Sequence, residues 1–353
     1  MGDEIWVLGA TGRTGRAVAD RLHAAGHPVV LVGRDPGRLA GQVDGARVVV
    51  GEIDDVLGRL HREAPAAVVN TIGPFTVTAP RVVRACPPGT HYVDVAAEYR
   101  AAAAVLDLHG EAAATGRSFV TGAGFGVLAT ESVLRKVCGG GEVPSAVRVD
   151  AVASVAAEPG VVGSALASTI VDAASFGGRR VTNGRLTRSR FGAEPATLTT
   201  PDGDVVLAGS SPTAELLAAW RASGADSVVA ASGLIPAGVA ARLLSAVSPV
   251  VRVPGVARAG VALLARVPLK SQDRPRRHSW ARARAEWPSG AAREGWLRAG
   301  DGMDFTSAAA AEVALRLARG EGRPGAYFPG ELFGAELAVA AGGEFILDVP
   351  AGR

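Results

Sequence analysis

Three glycines, Gly9, Gly12 and Gly15, stand three residues apart directly after the apolar run Ile5-Trp6-Val7-Leu8. A segment with apolar residues at Val18, Ala19 and Leu22 follows, at the spacing of one helix face. Residue types in this order suit an anion. Glycine lets the backbone turn sharply and approach a phosphate without a Cβ in the way. The helix that follows turns free N–H groups and its positive dipole end toward the same point. Gly9-Ala10-Thr11-Gly12-Arg13-Thr14-Gly15 is therefore expected to hold a dinucleotide pyrophosphate, with GxxGxxG spacing in place of GxGxxG.

The next apolar run, Pro28 to Val32, ends in Gly33-Arg34-Asp35. In a strand–turn–helix nucleotide fold this position meets the adenosine ribose. An acid there suits the 2′-hydroxyl of NAD. Arg34, with Arg13 and Arg38 expected close to it in the fold, suits a 2′-phosphate through charge and bidentate geometry. The reading is NADP(H) over NAD(H), and the alternative is a solvated Arg34 with Asp35 on the ribose. Further along, Asn70-Thr71-Ile72-Gly73-Pro74-Phe75 follows a buried apolar strand. Asn70 and Thr71 could bond ribose hydroxyls or the carboxamide, and Gly73-Pro74 keeps the loop close and stiff. A plain strand-to-helix turn is the other reading. Asp54, with Glu52, follows the third strand at the adenine edge, or forms a solvated surface pair.

Candidate catalytic residues come from His91-Tyr92-Val93-Asp94 and Glu98. Asp94 and Glu98 would face the crevice at the carboxyl end of the fifth strand. A carboxylate there could bind a substrate cation or tune a proton donor; equally, Asp94 could cap the next helix. Tyr92 could donate a proton or fill the core, and His91 suits a strand histidine. Tyr-x-x-x-Lys is absent: Tyr92, Tyr99 and Tyr327 are followed four residues later by Ala96, Ala103 and Glu331. No Gly-x-Ser-x-Gly or Cys–His nucleophile appears, and no cluster has metal-ligand spacing, so no metal is expected.

The elements that must position these residues alternate strand and helix over the first 125 residues. Six strands are expected, ending with Arg117–Thr121, joined by helices that include one long Ala-rich helix over Tyr99–Thr115. The fold class is α/β: an N-terminal doubly wound parallel Rossmann sheet and a second α+β domain with a mixed or antiparallel sheet. The expected division is 1–125 for the NADP-binding domain, 126–321 for a substrate and dimerisation domain, and 322–353 for a segment packing back on the first. In the middle domain strands are expected over Ala146–Val155, near Arg179–Asn183 and Arg185–Phe191, around Val205–Leu207, and over Asp226–Ala231 and Arg277–Trp287. Helices are expected over Gly163–Phe176 and through an apolar region reaching Val267. Phe305–Ala318 and Pro329–Ala340 read as later helices, and Glu344–Leu347 as a last strand.

Composition sets the outer bounds. A chain of 353 residues, 48% hydrophobic, is globular and long enough for two cores. A net charge of +3 and the lack of a nucleic-acid motif argue against a nucleic-acid partner. The cluster Arg274, Arg276, Arg277, Arg282 and Arg284 fits a strand exposed on one face, or a site for an acidic group. The apolar stretch Val228–Leu269 is broken by Pro236, Arg242, Pro249, Arg252 and Pro254, too often for a spanning helix of about 20 residues. Two distant cysteines, Cys86 and Cys138, fit a reducing, cytoplasmic setting, and no signal peptide is expected.

Taken together, several segments resemble the saccharopine dehydrogenase-like reductase family. They are GATGRTG (Gly9–Gly15), VGRD (Val32–Asp35), NTIGPF (Asn70–Phe75), VVRACPPGTHYVDVAAE (Val82–Glu98) and GAGFG (Gly122–Gly126), with Asp304-Phe305-Thr306 through Pro329 near the end. The resemblance implies a nicotinamide-dependent reductase acting on a C=N or an activated C=C bond of a small substrate, with a second domain that shapes the substrate site and often mediates dimers. The sequence departs from the family pattern at Ala96-Ala97-Glu98 and at Gly126–Glu131, both near the expected nicotinamide, so no particular substrate is carried over. Two rival functions stand beside it. One is a non-catalytic NADP-sensing protein of the NmrA-like kind, whose glycine loop is similar; the GPF and GTHYVD segments argue against it. The other is a structural or lipid-surface protein that kept the fold.

Overall fold

The computed structural model describes residues 2–156, 160–210, 212–234, 254–271 and 273–347. The chain forms two compact units. The first comprises Met1–Leu128 and Met303–Gly342, the second Ala129–Gly302 with the chain from Gly343 onward.

The first unit is built on seven parallel strands. Six come from the N-terminal stretch: β1 (Ile5–Leu8), β2 (Val29–Gly33), β3 (Arg47–Val50), β4 (Ala67–Asn70), β5 (His91–Asp94) and β6 (Ser118–Val120). Between them run α1 (Arg13–Ala24), α2 (Pro36–Leu39), α3 (Ile53–Glu63), α4 (Phe75–Ala85), α5 (Tyr99–Leu106) and α6 (His109–Ala114). The sheet order is β3-β2-β1-β4-β5-β6, extended beyond β6 by the strand Gly325–Tyr327. The order reverses between β1 and β4, so the carboxyl ends of these strands open the crevice where this class of sheet binds ligands. Strands β1 and β4 are buried throughout, as near-continuous apolar runs in a parallel sheet should be. Helix α1 covers the sheet with Gly15, Val18, Ala19 and Leu22, the face read from its spacing.

Three sequence expectations for this unit are corrected. The sheet has a seventh strand, Gly325–Tyr327, pairing parallel to β6. Its three residues are too few to show a period. The helix expected over Tyr99–Thr115 is two helices, α5 and α6. The break turns His109 toward the seventh strand, where its Nδ1 accepts the Ala326 N–H at 3.1 Å and its ring meets Tyr327 edge-on. The helix Gly302–Ala318, grouped by sequence with the middle domain, packs in the first unit from Met303 onward. There Thr306 Oγ1 accepts the Phe125 N–H at 3.1 Å, and Phe305 meets Phe125 edge-on.

Among the described residues the second unit carries a nine-stranded mixed sheet. Its main order is Arg185–Arg188, Arg179–Thr182, Ser227–Ser232, Ala146–Val152, Ser279–Glu286, Ala292–Ala299 and Glu344–Leu347. Only Ser227–Ser232 and Ala146–Val152 run parallel; the other neighbours are antiparallel. Ala196–Thr199 and Val205–Ser210 form a hairpin joined to Ser227–Ser232. Leu198 and Val206 of this hairpin pack on Trp280 and Trp296. Sequence reading passed over Ala196–Thr199, Ala292–Ala299 and the helix Ala214–Ser223. The last strand, expected to pack back on the first domain, belongs to this second sheet, where Ile346 stands opposite Trp296. Pro329–Ala340 is two short helices separated at Gly334, Pro329–Phe333 and Leu337–Ala340. Of the apolar region expected to be helical, 235–253 lie outside the described residues and Pro254–Leu264 is a helix. Among the described residues no helix is long and apolar enough to cross a membrane.

Of the arginine cluster, Arg282 and Arg284 find acidic groups within the chain. Along Ser279–Glu286 the alanines Ala281, Ala283 and Ala285 are buried, and the arginines alternate with them. Arg282 reaches Asp150 at 3.1 Å and Glu294 at 2.5 Å, and Arg148 reaches the other oxygen of Asp150 at 2.8 Å.

Candidate nucleotide site

The glycine loop lies at the mouth of the crevice, held from below. Gly9 and Ala10 donate their N–H groups to Val32 O at 3.0 and 3.1 Å, fixing the loop to β2. Gly9 has φ +83, which an L side chain rarely adopts. A Cβ on Gly15 would lie 2.3 Å from Gly9 O, so only glycine lets α1 start this close to the loop. Gly12 differs: a Cβ there meets nothing but Gly9 O, at 3.3 Å. Gly12 is the N-cap of α1, is exposed, and gives the helix no side-chain cap. The first turn of α1 thus presents backbone donors with no side chain from residue 12 in front of them, which is the arrangement a pyrophosphate needs. Thr71 locks the loop to β4, donating to Leu8 O at 2.7 Å.

At the end of β2 the residues divide the two ribose readings. Asp35 is the N-cap of α2, and its Oδ1 accepts the Arg38 N–H at 3.1 Å. The guanidinium of Arg38 turns back and donates to Thr11 O at 2.9 Å, which brings this cation to the glycine loop. Arg34 and Arg13 are exposed. A Cβ on Gly33 would press on Thr11 Cγ2 at 3.3 Å, so Gly33 lets the two loops approach. Asp54 lies in the first turn of α3, largely exposed, and pairs with Arg81 of α4.

At the carboxyl ends of β4, β5 and β6, Asn70, Tyr92 and Asp94 are assembled into one buried network. Asn70 Nδ2 donates to Thr78 Oγ1 and to Tyr92 Oη, both at 3.2 Å, and its Oδ1 accepts the Ile72 N–H at 3.0 Å. Tyr92 Oη donates to Asp94 Oδ2 at 2.9 Å. Asp94 Oδ1 accepts from Ala96 N at 3.0 Å and from Thr121 Oγ1 and Gly122 N, each at 2.9 Å. Neither reading of Asp94 made from sequence anticipated this tie between two strand ends. Burial raises the Asp94 carboxyl above its usual range, opposed by the hydrogen bonds it accepts. Burial, then the neighbouring carboxylate, hold the Tyr92 phenol well above its ordinary value. Glu98 is buried at the N-cap of α5, where its Oε2 accepts the Ala97 N–H at 3.2 Å. His91 Nδ1 accepts the Ser118 N–H at 3.0 Å, and burial lowers its pKa, as suits a neutral strand histidine. Gly73-Pro74 is a cis peptide at the start of α4.

Thr78 and Thr121 were not singled out as site residues from sequence, and Gly122 was quoted only within GAGFG. The register of β6 beside β5, with Val120 opposite Val93, sets Thr121 next to Asp94.

Comparison with known proteins follows this geometry. Residues 9–86 match the NAD(P)H-binding domain family. No curated protein matches the sequence. Among solved structures, apo saccharopine dehydrogenase (L-Glu forming) from Saccharomyces cerevisiae aligns over 96% of this chain and 96% of its own, with a TM-score of 0.62 at 12% identity. The match to the NAD(P)H-binding family is confined to residues 9–86, and the chain as a whole shares the fold of that saccharopine dehydrogenase. Two other structures align at lower similarity. GenD2 from gentamicin A biosynthesis, in complex with NAD, covers 98% of this chain and 96% of its own at 13% identity and a TM-score of 0.44. A myo-inositol dehydrogenase from Corynebacterium glutamicum covers 99% and 100% at 13% identity, also with a TM-score of 0.44.

Proposed function

We propose that the protein is an NADPH-dependent reductase of a C=N or activated C=C bond in a small, apolar biosynthetic substrate. The observation that carries this reading is the state of the β2 end. Asp35 is engaged as a helix cap, and Arg38 is anchored on the glycine loop beside the exposed Arg34 and Arg13. A 2′-phosphate suits this set better than a bare ribose hydroxyl.

The nicotinamide coenzyme, when bound, supplies a hydride. The chain does the rest. Gly9 to Gly15 hold the pyrophosphate; Arg34, with Arg13 and Arg38, holds the 2′-phosphate; Thr71, Gly73 and Pro74 shape the wall toward the nicotinamide. Asn70, Tyr92 and Asp94 act as positioning residues, because their polar atoms are satisfied by one another and by the backbone. Water then delivers the proton to the reduced atom. Holding the acceptor against the coenzyme is worth about 7–11 kcal/mol in well-oriented systems. The second unit is assigned substrate shaping and homodimer formation, in a cytoplasmic setting.

The test is loss of NADPH absorbance against a panel of cyclic imines and enones, run beside calorimetric titration of NADP and NAD. Turnover of either class with a preference for NADPH supports the reading. Tight NADP binding without turnover of any acceptor favours the coenzyme-sensing alternative. Failure to bind either coenzyme at millimolar concentration overturns it.

A further inference from the structure

The helix Pro254–Leu264 of the second unit has the wrong outward face for water. Its partly buried positions, Ala257, Gly260, Val261 and Leu264, recur at helical spacing and form the inward side. Gly260 sits against Val171 of the helix Gly163–Phe176, a Cβ there falling 3.7 Å from Val171 Cγ2. The exposed side carries Val256, Ala259, Ala262 and Leu263 beside one charged residue, Arg258, with Leu263 at 75% exposure. Soluble helices place polar residues there. The two helices are tied together by a short strand pair, Gly160–Val161 with Pro268–Leu269, where Val161 is 58% exposed and Val267 is exposed as well. An apolar surface of this kind marks an interaction site.

Charge decides what covers it. The helix Pro254–Leu264 and the chain beyond it as far as Lys270 hold no Asp or Glu and three cations, Arg258, Arg266 and Lys270; Asp172 lies on the neighbouring helix and Asp273 follows. Arg258, Arg266 and Lys270 lie on or just beyond the helix, exposed. A second copy of the same face would set Arg258, Arg266 and Lys270 against the same three cations, since a two-fold contact pairs a patch with itself. An anionic bilayer answers both features: acyl chains take the valines and leucine, and phosphates take the arginines and lysine.

We propose that this helix pair is a peripheral docking element for anionic phospholipid surfaces, with Val256 and Leu263 inserting and Arg258, Arg266 and Lys270 meeting the headgroups. The element lies flat in the interface and does not span it. It delivers the chain to the phase where apolar substrates collect.

The full-length protein is sedimented with vesicles of phosphatidylcholine alone and of phosphatidylcholine with phosphatidylglycerol at three to one. Binding is expected to the anionic vesicles only and to weaken with salt. Arg258→Gln with Arg266→Gln lowers the partition by about five-fold per charge removed. Val256→Ser with Leu263→Ser lowers it by at least about ten-fold. Both variants are on exposed positions and should keep the wild-type melting midpoint and NADP affinity. Absence of binding to anionic vesicles overturns the proposal, as does binding that neither pair of substitutions changes. Conversion of a dimer to a monomer by the serine pair, read by analytical ultracentrifugation, also overturns it, by assigning the face to a second copy.

Discussion

Tyr92 donates its phenolic hydrogen to Asp94 at 2.9 Å, two residues along the same strand, and neither side chain reaches solvent. The pair sits at the level of the expected nicotinamide, yet its hydrogen-bonding capacity is spent inside the sheet. Tyr92→Phe tests what it does. Removing one donor from a buried carboxylate is expected to cost about 1–3 kcal/mol of stability, read by denaturant unfolding. The turnover number should fall by less than ten-fold. A fall of about 100-fold or more, the contribution of a general acid, would restore Tyr92 as the proton donor.

Asp94 also predicts a pH dependence. Its carboxyl titrates higher in the folded protein than in the unfolded chain, because burial disfavours the charged form. The native state therefore holds this proton over a range where the unfolded state has released it. Its contribution to stability is largest below the ordinary carboxylate range and declines as pH rises from there through the raised native value. Asp94→Asn removes the titration. The difference in melting midpoint between wild type and variant should thus change steadily as pH rises from about 4. A constant difference from pH 4 to pH 8 would mean that Asp94 titrates normally.

The glycine loop separates folding from binding. Gly15→Ala places a Cβ 2.3 Å from a backbone oxygen and should destabilise the domain by about 1–3 kcal/mol or more. The Cβ of Gly12→Val meets only Gly9 O, at 3.3 Å, and the change should cost about 1 kcal/mol as a poorer helix cap. Calorimetry on Gly12→Val should show NADP binding abolished in a folded protein. Retained affinity would move the pyrophosphate away from this loop.

How far the site was readable depended on how local its signals are. The glycine triplet and the strand before it lie within twelve residues, and the loop's fit to α1 follows from that spacing alone. The link from Arg38 to Thr11 and the lock of Thr71 on Leu8 join loops from different strands, and no periodicity encodes them. The Asn70–Tyr92–Asp94–Thr121 network needs three strands in register before it exists. In the second unit, the strand Ala292–Ala299 contains Gly295, a residue that normally weakens a strand. Its reason is spatial: a Cβ there would meet Leu347 and Val137 at 2.9 Å. The helix Gly302–Ala318 was legible as a helix, but its membership of the first unit rests on contacts such as that of Thr306 with Phe125, 181 positions earlier.

Coenzyme choice should reside in Arg34. Asp35 already caps α2, so losing the Arg34 guanidinium removes charge from the 2′-phosphate position without freeing an acid for NAD. Arg34→Ala is expected to weaken NADP by about 1.5–3 kcal/mol, the value of a charged hydrogen bond, and to leave NAD nearly unchanged. Equal losses for both coenzymes, measured by titration, would refute the assignment.

The second unit depends on Asp150 for cohesion. This carboxylate is fully buried and sits between Arg148 and Arg282, with Arg282 held in turn by Glu294. The charges balance within the cluster, and each partner is needed to offset the desolvation of the others. Asp150→Ala leaves two guanidinium groups facing a buried void and should destabilise the unit by about 3–5 kcal/mol. Asp150→Asn keeps an acceptor but not the charge, and should fall between the alanine variant and wild type. The measurement is chemical unfolding followed by tryptophan fluorescence, since Trp296 donates to Glu294 at 3.1 Å and reports on this cluster. An alanine variant within about 0.5 kcal/mol of wild type, the range of ordinary surface substitutions, would show that the cluster contributes nothing to folding stability.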